Sequence, residues 1–130
     1  MKHTFGKQEK LKSKKLIGKL FEEGKSIKKF PVRLIYLQTQ YASNFSIQAS
    51  FSVPKRNFKK AVDRNRIKRL LREVYRLEKP QLYEYLEASY VIMITFIGKK
   101  EPTYFELEQK IQETLALFIK EVKKESDETV

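Results

Sequence analysis

KRNFKKAVDRNRIKRLLREVYR, residues 55–76, is the most distinctive stretch of the chain. Ten of its 22 residues are Lys or Arg, and only Asp63 and Glu73 are acidic, so the stretch carries a net charge of +8. Apolar residues recur at the spacing of one helix face in its second half and at the residue that follows it, namely Ile67, Leu70, Leu71, Val74 and Leu77. This spacing predicts an amphipathic helix over residues 58–77, with Asp63 in its first turn, where a carboxylate suits the helix dipole.

The opposite face of this predicted helix is almost entirely cationic. Arginines and lysines four residues apart, such as Arg64, Lys68 and Arg72, repel one another on a helix. Helix faces that are merely solvated normally mix both signs of charge, whereas a row of one sign becomes favourable against a polyanion. The pattern therefore favours a nucleic acid as partner, with a simple solvated face as the alternative.

Composition predicts one soluble domain over residues 1–130, with flexible ends at 1–10 and 124–130. The chain is 41% apolar and 34% charged, which suits a small core under a charged surface. It lacks cysteine, so disulfides and thiolate zinc sites are excluded. The basic N-terminus has no apolar segment of a signal peptide, and no apolar run is long enough to cross a bilayer. We expect a cytoplasmic protein without a membrane partner.

The net charge of +12 is distributed unevenly along the chain. Residues 1–30 carry +7, residues 31–54 carry +1 and residues 55–76 carry +8, whereas residues 77–130 carry −4. One side of the molecule is therefore expected to meet an anion, and the C-terminal part is not.

Three helices are predicted from periodicity and end signals. The first covers Leu11–Glu23, and Gly24 stands where a left-handed C-cap is expected. The second is the basic helix described above, and Pro80 follows its end. The third begins at a capping box, formed by Thr103 and Glu106, and continues through Val122.

Three strands are predicted between these helices. Phe30–Gln38 is rich in β-branched and aromatic residues, and Phe45–Val53 alternates between apolar and polar positions. Ser89–Ile97 is apolar on both faces, as expected of an internal strand. The element order is then α-β-β-α-β-α, an α+β fold in a single two-layer sandwich with one small mixed sheet.

The sequence offers little catalytic chemistry but much binding chemistry. It contains one histidine, His3, and two aspartates, Asp63 and Asp127, without a nucleophile triad, a phosphate loop or metal-ligand spacing. We therefore predict no catalytic and no metal-binding residues. Arginine forks suit phosphate, and aromatic rings can stack on unpaired bases. The aromatic residues next to basic ones are stacking candidates, although packing in the core is the more common role: Phe5, Phe21, Tyr36, Phe58 and Tyr75.

Two strings make the sequence resemble a known family. SVPKR at residues 52–56 precedes KAVDRNRIKRLLRE at residues 60–73. Together they resemble the signature of the bacterial ribonuclease P protein component, whose core is Ala-Val-x-Arg-Asn-Arg-x-Lys-Arg. The similarity extends over nearly the whole chain, in length, charge and element order.

The resemblance implies an accessory subunit of an endoribonuclease. In that family a large catalytic RNA performs the magnesium-dependent hydrolysis that removes the 5′ leader of precursor tRNA, and the small basic protein assists. The protein alone is expected to be inactive, with Mg²⁺ required by the RNA-containing holoenzyme and no cofactor in the protein. The family also implies a left-handed β-α-β crossover, against the usual right-handed rule.

The resemblance and the basic stretch together assign two groups of residues. The surface for the catalytic RNA comprises Lys55, Arg56, Lys60, Arg64, Asn65, Arg66, Lys68, Arg69, Arg72 and Arg76. Arg66 projects nearer the apolar side of the helix than the others do. The family's cleft for the single-stranded leader, between the first helix and the sheet, comprises Lys12, Ile17, Phe21, Tyr36, Ser50 and Ser52.

Two other functions remain open from the residues themselves. A structural RNA-binding protein of the ribosomal type would show the same basic helix and would co-purify with ribosomal RNA. A DNA-binding helix module is disfavoured, because residues 45–53 have a strand pattern where a helix-turn-helix would need another helix. No DNA partner is therefore expected.

Overall fold

The structure is a computed structural model that describes residues 5–6, 9–39, 47–86 and 88–128, with side chains up to residue 124. The helices are α1 (Lys14–Glu23), α2 (Ala61–Glu78), α3 (Pro80–Tyr85) and α4 (Tyr104–Glu128). The strands are β1 (Lys25–Lys29), β2 (Val32–Gln38), β3 (Ile47–Ser52) and β4 (Tyr90–Phe96). Their order along the chain is α-β-β-β-α-α-β-α.

The four strands form one mixed sheet in the order β1-β2-β4-β3. β1 pairs with β2 and β2 with β4 in antiparallel fashion, whereas β3 and β4 are parallel neighbours. Parallel neighbours need a crossover, and α2 and α3 provide it. The α+β class and the small mixed sheet are confirmed, and the left hand of this crossover stays a prediction.

Helices cover both faces of the sheet. The larger core lies between one face and α2, α3 and α4, and it contains Leu34, Ile92, Leu71 and Phe118. A smaller core lies on the other face, where Leu20 of α1 packs with Ile35, Val91 and Met93. The sheet is therefore a middle layer, which corrects the expected two-layer arrangement, and the face under α1 is the less covered of the two.

Two elements were not predicted from the sequence. β1 has the sequence KSIKK, and only Ile27 of these five residues is buried. An edge strand with one apolar residue gives almost no periodic signal. α3 follows directly after Lys79 and has Pro80 in its first turn, where the missing N–H costs nothing. Pro80 follows the end of α2, as expected, and it is also the first residue of a further helix that the sequence did not predict.

The ends of the helices agree in part with the predictions. Thr103 and Glu106 form the expected capping box, since the Glu106 N–H donates to Thr103 Oγ1 at 3.2 Å. Gly24 ends α1 in an extended conformation, with φ of −70°, so the expected left-handed cap is wrong. Leu77, expected on the buried stripe of α2, is 40% exposed, and Tyr75 is fully buried beneath that helix instead.

The described part of the N-terminal segment is packed against the sheet edge. Leu11 donates its N–H to Ala49 O of β3 at 2.8 Å, and the Phe5 ring lies 5.8 Å from the Tyr75 ring. Glu9 and Lys79 form an ion pair in which both side chains are 2% exposed. The flexibility expected of residues 1–10 and 124–130 stays a prediction, and α4 continues as helix to Glu128 in the expected C-terminal tail.

Other predictions concern parts of the chain that the structure does not describe. His3 and Phe45 lie outside the described residues. Within the described ranges, no helix has both the length and the apolar composition needed to span a bilayer.

Candidate nucleic-acid interface

α2 separates an apolar underside from a basic outer face. Ile67, Leu71 and Val74 are at most 1% exposed and face the larger core. The predicted RNA-contacting residues lie on or just before this helix, and most are exposed. Lys55, Arg56, Lys60, Asn65, Arg66, Arg69 and Arg72 are exposed, whereas Arg64, Lys68 and Arg76 are half-buried. The helical periodicity thus predicted both faces of α2 correctly, apart from Leu77, which is exposed, and Tyr75, which is buried.

Arg64 is held by backbone carbonyls rather than by an acid. Its Nη1 donates to Phe58 O at 2.8 Å and to Lys59 O at 2.9 Å. Carbonyl partners orient the guanidinium but leave its charge uncompensated. Among the residues that the structure describes, no carboxylate pairs with Arg64, Lys68 or Arg72. This row therefore keeps its full positive charge at the surface.

Arg66 and Arg76 differ from that row because acids of the same chain hold them. Arg66 donates to Glu101 Oε1 at 2.5 Å and lies 3.5 Å from Asp63. Arg76 donates to both carboxylate oxygens of Glu73, at 3.1 and 2.5 Å. The hydrogen bond from Arg76 lowers the pKa of Glu73, and the same bond raises the pKa of Arg76. Both arginines are thus partly neutralised within the fold, in contrast to the other predicted contacts.

We call the part of this less covered sheet face that lies beside α1 the groove. Ile17 of α1 packs on the apolar residues under the helix, and Ser50 and Ser52 of β3 are half-buried on the same face. Lys12 is exposed just before the helix begins, and Phe21 is 59% exposed on it. Five of the six predicted groove residues are therefore placed on or beside this face.

Tyr36 is the exception among the predicted groove residues. It is 4% exposed and lies in the larger core, with its ring 4.8 Å from that of Phe118. Successive residues of a strand point to opposite faces, so Ile35 takes the groove position on β2. The assignment of Tyr36 to the groove is corrected, because β2 is buried on both faces and its pattern did not reveal which residue faces α1.

The sequence did not identify the apolar cluster that α1 covers. This cluster contains Ile35, Leu37, Val91 and Met93. Strand pairing would have identified it, since β2 and β4 align Ile35 with Met93. Two other stacking candidates, Phe58 and Tyr75, are at most 9% exposed in the larger core, which leaves Phe21 as the exposed ring of the five.

These features define a small, basic α+β protein with a cationic helix face on one side of the sheet and α1, over an apolar cluster, on the other side. Residues 5–118 match the family model described as Ribonuclease P. The ribonuclease P protein component of Porphyromonas gingivalis is 35% identical over 118 residues, which cover 86% of this chain and 85% of that protein. That of Chlorobium phaeobacteroides is also 35% identical, over 84% of both chains. The chain therefore belongs to the ribonuclease P protein family.

Solved structures share the fold at lower sequence identity. The ribonuclease P protein of Staphylococcus aureus superposes with a TM-score of 0.67 at 18% identity, over 84% of this chain and 94% of that one. The protein from Thermotoga maritima gives a TM-score of 0.63 at 19% identity, over 81% and 93% of the two chains. The sheet topology described above is thus the fold of this family.

Proposed function

We propose that this chain is the protein subunit of ribonuclease P and that the outer face of α2 binds the catalytic RNA of that enzyme. The observation that carries the proposal is the row Arg64, Lys68 and Arg72, which no described carboxylate neutralises. A dense row of like charges is unfavourable for an isolated helix and becomes favourable against phosphates. Family membership supports the ribonuclease P RNA as this polyanion.

The groove beside α1 is proposed to hold the 5′ leader of precursor tRNA. The exposed aromatic ring of Phe21 suits stacking on unpaired bases, and the exposed Lys12 suits the backbone. In this division of labour the RNA performs the hydrolysis with Mg²⁺, and the protein binds substrate and stabilises the complex in the cytoplasm. The protein alone would leave precursor tRNA uncut.

Reconstitution with the cognate RNA tests the proposal. The wild-type protein should lower the Mg²⁺ concentration needed for removal of the leader and should tighten binding of precursor tRNA. The triple variant Arg64→Gln/Lys68→Gln/Arg72→Gln should lose most of this effect, because it removes the three unneutralised charges. A control with the same charge change, Lys120→Gln/Lys123→Gln/Lys124→Gln on the exposed side of α4, should behave like the wild type.

Two outcomes would contradict the proposal. If the pure protein cleaves precursor tRNA, and the cleavage persists after nuclease treatment of the preparation, the protein itself catalyses the hydrolysis and the proposal is wrong. Recovery of ribosomal RNA instead of ribonuclease P RNA with the protein from cells would favour the structural RNA-binding alternative.

A further inference from the structure

A line of polar side chains crosses all four strands of the sheet on the face that carries α1. Lys28 of β1 pairs with Arg33 of β2, and Arg33 pairs with Thr95 of β4. Thr95 in turn pairs with Ser52 of β3. Directly paired residues point to the same face of a sheet, so the four side chains form one row. With strands about 4.8 Å apart, the row is about 14 Å long.

The row lies at the open end of the groove. The next set of paired residues, one step closer to α1, has Ile35 and Met93 at its centre, and these two pack under the helix. Lys28 and Arg33 are exposed, and Thr95 and Ser52 are half-buried. Ile35 and Met93 are only 6% exposed, so this face of the sheet changes from an apolar cluster that α1 covers to an open polar row beyond the helix.

The side chains of the row offer hydrogen-bonding groups that suit phosphate and ribose. Arg33 Nε donates to Ser26 Oγ at 3.1 Å, which orients the guanidinium. Its two terminal nitrogens have no partner among the described residues, so they can form a fork on one phosphate. Ser52 Oγ and Thr95 Oγ1 are 2.7 Å apart, so one hydroxyl donates to the other. One O–H remains to donate to a phosphate oxygen, and both oxygens can accept from a ribose 2′-hydroxyl.

The row also leads to the basic segment that precedes α2. β3 ends at Ser52, and two residues later the chain reaches Lys55 and Arg56, both exposed. The row itself contains two cations and no acid. Its charge therefore complements a polyanion across the width of the sheet.

We propose that the row formed by Lys28, Arg33, Thr95 and Ser52 binds the sugar-phosphate backbone of single-stranded RNA. Arg33 binds one phosphate as a fork, Lys28 binds a neighbouring phosphate, and the hydroxyl pair donates one hydrogen bond to a phosphate oxygen and accepts one from a ribose 2′-hydroxyl. This inference rests on the proposed function, since the strand in question is the leader, whose bases stack on the exposed ring of Phe21 beside α1. The row would extend the length of leader that the protein contacts towards the β1 edge.

Leaders of graded length test the row. The holoenzyme is reconstituted with the wild-type protein, with Lys28→Gln/Arg33→Gln, with Arg33→Lys, or with the control Lys120→Gln/Lys124→Gln. Affinity is measured for precursor tRNA with a long leader, for precursor tRNA with a leader of one or two nucleotides, and for mature tRNA. All the substituted side chains are exposed, so each variant should fold.

The double variant should bind the long-leader precursor at least tenfold more weakly and bind mature tRNA unchanged. The salt dependence of long-leader binding should flatten by about 1.4 units, the value for two single-strand phosphate contacts. Arg33→Lys should recover part of the affinity, because it keeps the charge and loses the fork. The control should match the wild type for every substrate.

Three results would overturn the inference, and they separate it from the proposed function. If the double variant binds the long-leader precursor as tightly as the wild type does, the row does not bind the leader, while the proposal that the groove binds the leader is unaffected. If the double variant loses as much affinity for mature tRNA as for the long-leader precursor, the row does not act through the leader but contacts another RNA surface or supports assembly. If the wild-type protein gives no gain for a long leader, the proposed function of the groove fails, and the row fails with it.

Discussion

Arg64 contributes both to the fold and to the charged surface. By donating to Phe58 O and Lys59 O, it fixes the segment that enters α2, whose N-terminal residue Lys60 makes no side-chain capping bond. Because both partners are carbonyls, the guanidinium keeps its charge towards solvent. A lysine at this position would keep the charge, but its ammonium group cannot reproduce the planar fork of the guanidinium.

Gly18 within α1 and Gly24 directly after it offer a matched pair of substitutions. At Gly24 an added Cβ would lie 2.3 Å from Leu20 O and 2.8 Å from Ile35 Cγ2, whereas at Gly18 it would meet nothing within 4 Å. Gly24→Ala should therefore destabilise the protein by about 1–3 kcal/mol through overpacking. Gly18→Ala should stabilise it by about 0.5–1 kcal/mol, because alanine has the higher helix propensity. Urea unfolding of the two variants decides the matter, and equal effects of the same sign would contradict the close approach at Gly24.

The ion pair between Glu73 and Arg76 should limit the RNA affinity of α2. Glu73→Gln removes the carboxylate that holds Arg76, at the C-terminal end of the cationic row. RNA affinity should then rise severalfold, and the salt slope should become steeper by about 0.9 if Arg76 gains one phosphate. Glu113→Gln changes the charge equally at the Lys110 pair on α4 and serves as the control. If both substitutions raise affinity alike, net charge is responsible and not Arg76.

At the scale of elements, the N-terminal segment is fastened across α2 and α3 by a buried polar contact. Glu9 pairs with Lys79 and accepts a hydrogen bond from Tyr83 Oη at 3.0 Å. The Phe5 ring packs beside them, 5.7 Å from that of Phe51. The segment pairs with the edge of β3 at Ala49 and leads into α1, so this contact fixes the path of the chain into that helix.

Breaking that buried pair should cost far more than replacing it. Lys79→Met leaves the Glu9 carboxylate buried without its partner and should destabilise the protein by about 3–5 kcal/mol. The double variant Glu9→Met/Lys79→Met removes both charges and should recover most of the loss. Denaturant unfolding of the single and double variants measures the difference. A single variant within about 0.5 kcal/mol of the wild type would show that the pair contributes nothing.

The elements also show what the sequence could and could not predict. α2 was predictable because one face is apolar and the other cationic, and β3 because Ile47 and Ala49 alternate with polar residues. On β2 the three consecutive residues 34–36 are all buried, so alternation cannot identify the residue that faces α1. The apolar cluster under α1 and the polar row containing Arg33 depend on strand register, which arises only when distant segments pair.

At the scale of the whole molecule, the positive and the negative parts of the chain have different places in the structure. The chain up to residue 76 carries +16, and the remainder carries −4. The remainder contributes β4 and Phe118 to the core and places α4 beside α2 on the larger core. A charged partner should therefore approach α2 and the groove rather than α4, which makes α4 the natural place for control substitutions.

The salt dependence of assembly with the catalytic RNA tests this orientation. If the basic face neutralises about six phosphates, the logarithm of affinity should fall with the logarithm of salt concentration at a slope of about −4 to −5. Arg64→Gln/Lys68→Gln/Arg72→Gln should flatten the slope by about 2–3 units, because three contacts are lost. Lys120→Gln/Lys123→Gln/Lys124→Gln removes the same net charge from α4 and should change the slope by less than about 0.5. Equal slopes for the two triple variants would mean that the RNA responds to total charge, and α2 would then have no special role in docking.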